Sequence, residues 1–382
     1  MTEQFTSTGG SFPTTRYEPN PTLTAQGNHR RMADAQLLSH YDQILVDRKL
    51  SWTGHHHLLK SLGSGGQGEV FLSEHRGVDG FTLPLAMKIF SPERFDDVRQ
   101  YEESMQRIAG IAARVALIQH DNMLDVQNFI ERDRIRVMVM EWVDGYDLRR
   151  LVHPNCLGAL QGRVSARRWK YINEVIITSG PEQSRFKAGV AVALVRECLA
   201  ALAALHREGI VHGDIKPANI MLKRTGHVKL IDIGSAFEYR NPPRELDCTP
   251  TYAAPELIDR NESTPRGDLA SMGYVLIELL SGQNPFPRSM SLRDLLEAKR
   301  QLPGRLAKLL PDEVTRNDLL MNFLQGMIAP DPNQRFPTAE AAEHVDQGAV
   351  AFQRQLIRGD MASEYDNDIR IWLEDLRKLE SE

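Results

Sequence analysis

His212-Gly213-Asp214-Ile215-Lys216-Pro217-Ala218-Asn219 and, thirteen residues past Asn219, the aspartate of Leu230-Ile231-Asp232-Ile233-Gly234 are the stretch from which the chain can be read. Each group lies at the end of a short apolar run with β-character. Asp214, Asn219 and Asp232 therefore cluster as three polar residues on buried segments. Carboxylate and amide oxygens are what Mg²⁺ prefers beside phosphate oxygens. One carboxylate left free of metal can accept a hydroxyl proton. Single Asp and Asn residues are common in turns, so the joint order and spacing carry the signal. Just upstream, the apolar stretch from Val190 to Leu205 holds Arg196 and Glu197 and is too short to span a bilayer. It reads as a buried amphipathic helix.

Further upstream stands Gly63-Ser64-Gly65-Gly66-Gln67-Gly68-Glu69-Val70, a G-x-G-x-x-G-x-V pattern. Glycines let a backbone approach phosphates and aim its N–H groups at them. An ordinary Gly-rich turn and a dinucleotide-binding turn are the other readings. The second requires a helix straight after the glycines, whereas Glu69-Val70-Phe71-Leu72 reads as a strand. A loop between two strands suits a flap over ATP phosphates. Twenty residues after Gly68 comes Lys88, inside Leu85-Ala86-Met87-Lys88-Ile89. A lysine in an apolar run is costly unless it meets an anion. The alternative is an edge-strand lysine facing water.

Around these motifs the 382 residues divide unevenly. Residues 1–30 hold 19 Ser, Thr, Asn, Gln, Gly or Pro, too little apolar surface to offset chain entropy, so 1–50 is expected to be a disordered or weakly ordered tail, with a short helix within 31–50. From about Leu58 short strands surround one helical segment, Phe95 to Ile118. After Asp147 the chain is mostly helical. The expectation is an α+β fold of two lobes: a small strand-rich lobe (58–140) and a larger helical one (147–346). An extension (347–382) carries the apolar stripe Ile369, Trp372, Leu373, Leu376 and Leu379. With 46 Lys+Arg against 51 Asp+Glu and no basic block, neither a nucleic-acid nor a membrane partner is expected. No secretory signal is expected, because Met1-Thr2-Glu3-Gln4 has neither a basic stretch nor an apolar run behind it. Cys156, Cys198 and Cys248 have no disulfide or metal spacing, so a reducing, cytoplasmic setting is expected.

Taken together the motifs resemble those of the eukaryotic-type serine/threonine protein kinases over roughly residues 58–346. The glycine loop, Lys88, the loop His212 to Asn219 and Asp232 follow in order. Behind them come Thr249-Pro250-Thr251-Tyr252-Ala253-Ala254-Pro255-Glu256, then Asp268-Leu269-Ala270-Ser271-Met272-Gly273, then Asp331-Pro332-Asn333-Gln334-Arg335. The resemblance implies transfer of the ATP γ-phosphate to Ser or Thr of a protein substrate. It implies that Asp214 accepts the hydroxyl proton and Lys216 neutralises the γ-phosphate. Asn219 and Asp232 would hold Mg²⁺, with Mn²⁺ as a substitute. Lys88 would hold the α/β-phosphates and pair with a helix glutamate. Met140, Glu141 and Val143 would form the hinge for adenine, Val70, Ala86 and Met221 would sandwich the ring, and Asp147 would bond the ribose. Thr249 would bond near Asp214 and Lys216, and Arg335 would pair with Glu256.

The chain departs from that pattern at several places. Glu102 and Glu103 lie 14 and 15 residues after Lys88, and Glu103, with the better spacing, is taken as its partner. Neither has an apolar residue four positions on, those being Gln106 and Arg107. The Phe of Asp-Phe-Gly is Ile233, and the Arg before the catalytic Asp is Gly213. An insert of about 153–187, with Arg163, Arg167, Arg168, Trp169 and Lys170, reads either as a docking site or as a solvated helical insert; the C-terminal helix is a second docking candidate. Residues 240–248 contain no Ser or Thr, so the expected enzyme needs no activation-loop phosphorylation. The competing readings are a pseudokinase scaffold, disfavoured by the presence of Lys88, Asp214, Asn219 and Asp232, and a small-molecule phosphotransferase, which would lack the full glycine flap and the Ala-Pro-Glu segment.

Overall fold

A computed structural model describes residues 35–48, 56–243, 247–260, 262–287, 290–344, 346, 348–358 and 365–380. The expected tail lies outside these residues up to 34. Its last part does not behave as a tail: α1 (Ala35–Asp47) is a helix whose Leu37, Tyr41 and Ile44 are buried. Three apolar residues at three- and four-residue steps give that helix a face to dock. It lies by the turn at residues 133–134, where His40 Nδ1 meets the Asp133 carbonyl at 3.0 Å.

The small lobe is one antiparallel sheet of five strands in the order β1-β2-β3-β5-β4. The strands are β1 (His56–Gly65), β2 (Gly68–Arg76), β3 (Thr82–Phe90), β4 (Val126–Arg132) and β5 (Ile135–Glu141). β3 is central, which is why Leu85 to Phe90 is buried without alternation. β2 pairs with it so that Val70 stands opposite Lys88 and Leu72 opposite Ala86. α2 (Val98–Val115) is capped by Asp97, whose side chain accepts from the Gln100 N–H.

The larger lobe begins with β6 (Gly145–Asp147) and α3 (Leu148–Val152). The insert then folds as α4 (Pro154–Gly158), α5 (Ala166–Tyr171), a π turn (Ile172–Ile176) and the hairpin β7 (Ile177–Ser179) and β8 (Ser184–Phe186). α6 (Ala188–Arg207) is apolar and long enough to cross a membrane by composition, but it is the core helix of this lobe, buried along most of its length. β9 (Ile210–Val211), β10 (Ile220–Lys223), β11 (Val228–Leu230) and β12 (Phe237–Glu238) are short strands around the Asp-rich motifs. Helices α7 (Pro255–Arg260), α8 (Pro265–Ser281), α9 (Leu292–Leu309), α10 (Asp312–Thr315), α11 (Asp318–Ile328), α12 (Ala339–His344) and α13 (Ala349–Arg358) complete it.

The last helix, α14 (Tyr365–Glu380), buries Ile369, Trp372, Leu373 and Leu376. Trp372 meets Phe186 of the insert edge to face, with centroids 5.9 Å apart. Arg168 pairs with Asp375 at 2.9 Å, and the Tyr171 hydroxyl donates to Asp368 at 2.8 Å. The insert and the C-terminal helix, each a docking candidate in the sequence, cover one another.

Candidate active site

The loop from His212 to Asn219 is hung from the first turn of α8. The Asp268 carboxylate accepts from the backbone N–H groups of His212 and Gly213 at 2.9 and 3.0 Å, and His206 Nε2 lies 2.8 Å from it. Burial raises the Asp268 pKa, but His206, His212 and these donors bring it net below the usual carboxylate value. Gly213 has φ +78°, and a Cβ there would stand 2.9 Å from the Ser235 carbonyl oxygen. The backbone itself therefore disfavours a side chain before Asp214.

Asp214 is buried and accepts four hydrogen bonds. Lys216 Nζ donates to Oδ2 at 2.7 Å and Asn219 Nδ2 at 3.2 Å; the Thr249 hydroxyl and N–H donate to Oδ1 at 2.7 and 3.1 Å. Lys216 also donates to Thr249 Oγ1 at 3.0 Å. Aspartate, lysine and threonine form one fixed constellation. Asn219 spends its amide N–H groups on Asp214, and its Oδ1 is buried with no partner among the described residues. A buried amide oxygen without a donor is costly unless a ligand completes it. Together with the neighbouring carboxylates it suits a hard cation.

Asp232 stands in the left-handed region at φ +64°, a strained position for a residue with a side chain. Its Oδ1 accepts from the Gly234 N–H at 3.1 Å and from Lys88 Nζ at 2.5 Å. Burial alone would raise its pKa, but the Lys88 ammonium pulls it down to about 2. Lys88 also donates to Gln67 Oε1 at 2.7 Å. Neither candidate glutamate reaches it. Glu103 is 61% exposed and pairs with Arg99 at 2.7 Å; Glu102 pairs with Arg134 at 2.9 Å. The expected Lys88–Glu103 pair is thus absent from this structure. The reason is helical phase: the buried face of α2 runs through Tyr101, Ser104, Met105 and Ile108, and 102 and 103 fall outside it.

Between the lobes a pocket is lined by Gly63, Ser64, Gly65, Gly66, Gln67, Gly68, Val70, Ala86 and Lys88 from above and by Asp147, Asn219, Met221 and Asp232 from below. Met140, Glu141 and Val143 close its rear edge. The Glu141 side chain turns away, accepting from the Asp125 N–H at 2.7 Å and from Lys229. Asp147 lines the pocket but also caps α3, accepting from the Arg150 N–H at 2.9 Å; burial raises its pKa.

The segment in front of Asp214 is pinned at successive residues. Lys299 of α9 is fully buried and donates to the Thr251 carbonyl at 2.6 Å, its Nζ 4.1 Å from the ring centres of Tyr274 and Phe286. Burial pushes the Lys299 pKa well down. Tyr252 donates to Glu278 at 2.6 Å. Glu256 meets Arg335 in a two-pronged buried pair, both contacts 2.7 Å. The sequence motifs pair Arg335 with Glu256 but point to no role for Asp268 or Lys299. A lysine on the apolar stripe of α9, four residues after Leu295 and three before Leu302, is the available signal for the second.

Two lobes, with a glycine turn over an interlobe pocket and an Asp–Lys–Thr cluster beneath it, make up the layout of a protein kinase fold. The protein kinase domain family matches residues 56–345, and the chain belongs to that family. It is 27% identical over 308 residues to serine/threonine-protein kinase PrkC of Bacillus subtilis, covering 78% of this chain and 41% of that protein. Against serine/threonine-protein kinase PkaA of Streptomyces coelicolor it is 28% identical, covering 74% and 48%. Against human serine/threonine-protein kinase PAK 4 it is 33% identical, covering 59% and 33%. The chain spans less than half the length of each.

Proposed function

We propose that this chain is an ATP-dependent serine/threonine protein kinase. The observation that carries the reading is the Asp214–Lys216–Thr249 constellation, with the unpartnered Asn219 oxygen beside it and the Lys88–Asp232 pair above. Asp214 accepts the substrate hydroxyl proton, and Lys216 places positive charge where the transferred phosphoryl develops negative charge. Lys88 orients the α/β-phosphates. Asn219 and Asp232 would hold Mg²⁺, which supplies charge neutralisation on the phosphate oxygens. A reducing, cytoplasmic setting is part of the proposal, because Cys156, Cys198 and Cys248 show no paired spacing in the sequence. Purified protein, labelled ATP and a mixed protein substrate test the reading: phosphoserine or phosphothreonine should form, and its absence from the wild-type protein would refute it.

The finer reading is a kinase that needs no phosphate on its activation loop. It is supported by Gly213, which offers no side chain to hold one, and by the absence of Ser and Thr from 240 to 248. Phosphatase treatment should leave the transfer rate unchanged; a tenfold fall reversed by rephosphorylation within 235–252 would refute it. The scaffold and small-molecule readings gain no support from the buried contacts of Asp214 with Lys216 and Thr249 or from the segment tied down through Thr251, Tyr252 and Glu256.

A further inference from the structure

Lys88 is 4% exposed, and a buried ammonium needs acceptors. The inward face of α2 supplies no carboxylate. One acceptor is Asp232. The other is the side-chain oxygen of Gln67, at the turn between β1 and β2. Gln67 is itself only 8% exposed, and its Nε2 donates to Ser235 Oγ at 2.9 Å. It lies so close to the chain beyond Asp232 that a Cβ at Gly234 would stand 2.0 Å from its Oε1. The contact bridges the glycine turn, the strand lysine and the Asp232 turn, residues far apart in sequence.

We propose that Gln67 is the positioning residue for Lys88, doing from the glycine turn what a helix carboxylate would do from α2. The inference rests on the kinase reading. An ammonium has three N–H donors. Gln67 and Asp232 take two, which fixes the direction of the third toward the phosphate site. Gln67 is neutral, so Lys88 has one compensating carboxylate rather than two and a stronger pull on a phosphate. The orientation of Lys88 is then set by closure of the glycine turn, not by rotation of α2.

The test compares Gln67→Met, Gln67→Glu and the double variant Glu102→Gln/Glu103→Gln. Three quantities are read: kcat and KM for ATP, ATP binding by calorimetry, and the rate at which an amine-acylating reagent labels Lys88 in nucleotide-free protein, followed by mass spectrometry. Gln67→Met keeps the length and loses the acceptor. It should lower kcat/KM for ATP at least tenfold, weaken ATP binding and speed acylation of Lys88 at least threefold. Gln67→Glu keeps an acceptor, so acylation of Lys88 should stay at or below the wild-type rate while the added negative charge weakens ATP binding, and the double variant should match wild type. Wild-type rates in Gln67→Met, equally fast acylation of Lys88 in Gln67→Met and Gln67→Glu, or a tenfold loss in the double variant would each overturn the proposal. Failure of the kinase reading shows separately, as no transfer by the wild-type protein.

Discussion

Arg94, between β3 and α2, and Asp247, two residues before Thr249, form an ion pair of 2.6 Å that joins the two lobes. Both side chains are largely buried. Burial lowers the Arg107 pKa, with Asp247 opposing and Arg94 adding to the shift, which places a second guanidinium in the same cluster. A fixed negative charge on the activation segment thus already has a basic site on the small lobe.

That pair should hold the segment in place without phosphorylation. A charge-assisted contact of this kind is worth about 1.5–3 kcal/mol. Asp247→Ala should therefore lower kcat/KM for a protein substrate by about tenfold or more, and the exchange Arg94→Asp/Asp247→Arg should recover much of it. Steady-state kinetics on phosphatase-treated protein decide; wild-type activity in Asp247→Ala would remove the pair from the account.

Asp214→Asn should retain ATP binding and lose transfer by ~10²–10⁴-fold, the usual size of a general-base effect. Calorimetry and single-turnover assays on one preparation separate the two. Transfer at the wild-type rate would take the role away from Asp214.

Lys299→Met should leave KM for ATP unchanged and raise KM for the protein substrate severalfold. The amine ties α9 to the Thr251 carbonyl, in the segment that the kinase reading sets against the substrate, and is not among the residues lining the nucleotide pocket. A matched rise in both constants would mean a general loss of structure instead.

Removing one side of the Glu256–Arg335 pair strands a buried charge, a cost of about 3–5 kcal/mol. Arg335→Ala should unfold at markedly lower urea concentration. A similar loss, about 3–5 kcal/mol, is expected for Trp372→Ala, which empties the seam between α14 and the insert. Urea titration by circular dichroism measures both.

Acid should reveal the Lys88–Asp232 pair. The folded pKa of Asp232, about 2, lies below the ordinary carboxylate value of roughly 3.9. Its contribution is therefore present above that value and is lost as pH falls toward 2. In Lys88→Met burial dominates and the carboxyl prefers its proton. The stability difference between wild type and Lys88→Met should shrink as pH drops from 5 toward 2. A constant difference in urea titrations across that range would contradict the pairing.

The sequence by itself determined the kinase family, the order of its motifs and the residues that meet at the centre. Asp214, Lys216, Asn219, Asp232 and Thr249 converge because loop motifs of fixed spacing leave the backbone few ways to run. The sequence also held one warning: Gln106 and Arg107, four residues beyond the two glutamates, lack the apolar character of an inward helix face. Only the tertiary structure decided which partners the charged groups take. A single residue step turns a helical side chain by about 100°, so spacing from Lys88 could not place Glu103 inward or outward. Contacts such as Gln67–Lys88, Arg94–Asp247, Lys299–Thr251 and Trp372–Phe186 join segments that no local pattern relates. They form because burial of each group demands an acceptor or an apolar neighbour, and the packed lobes settle which one is within reach.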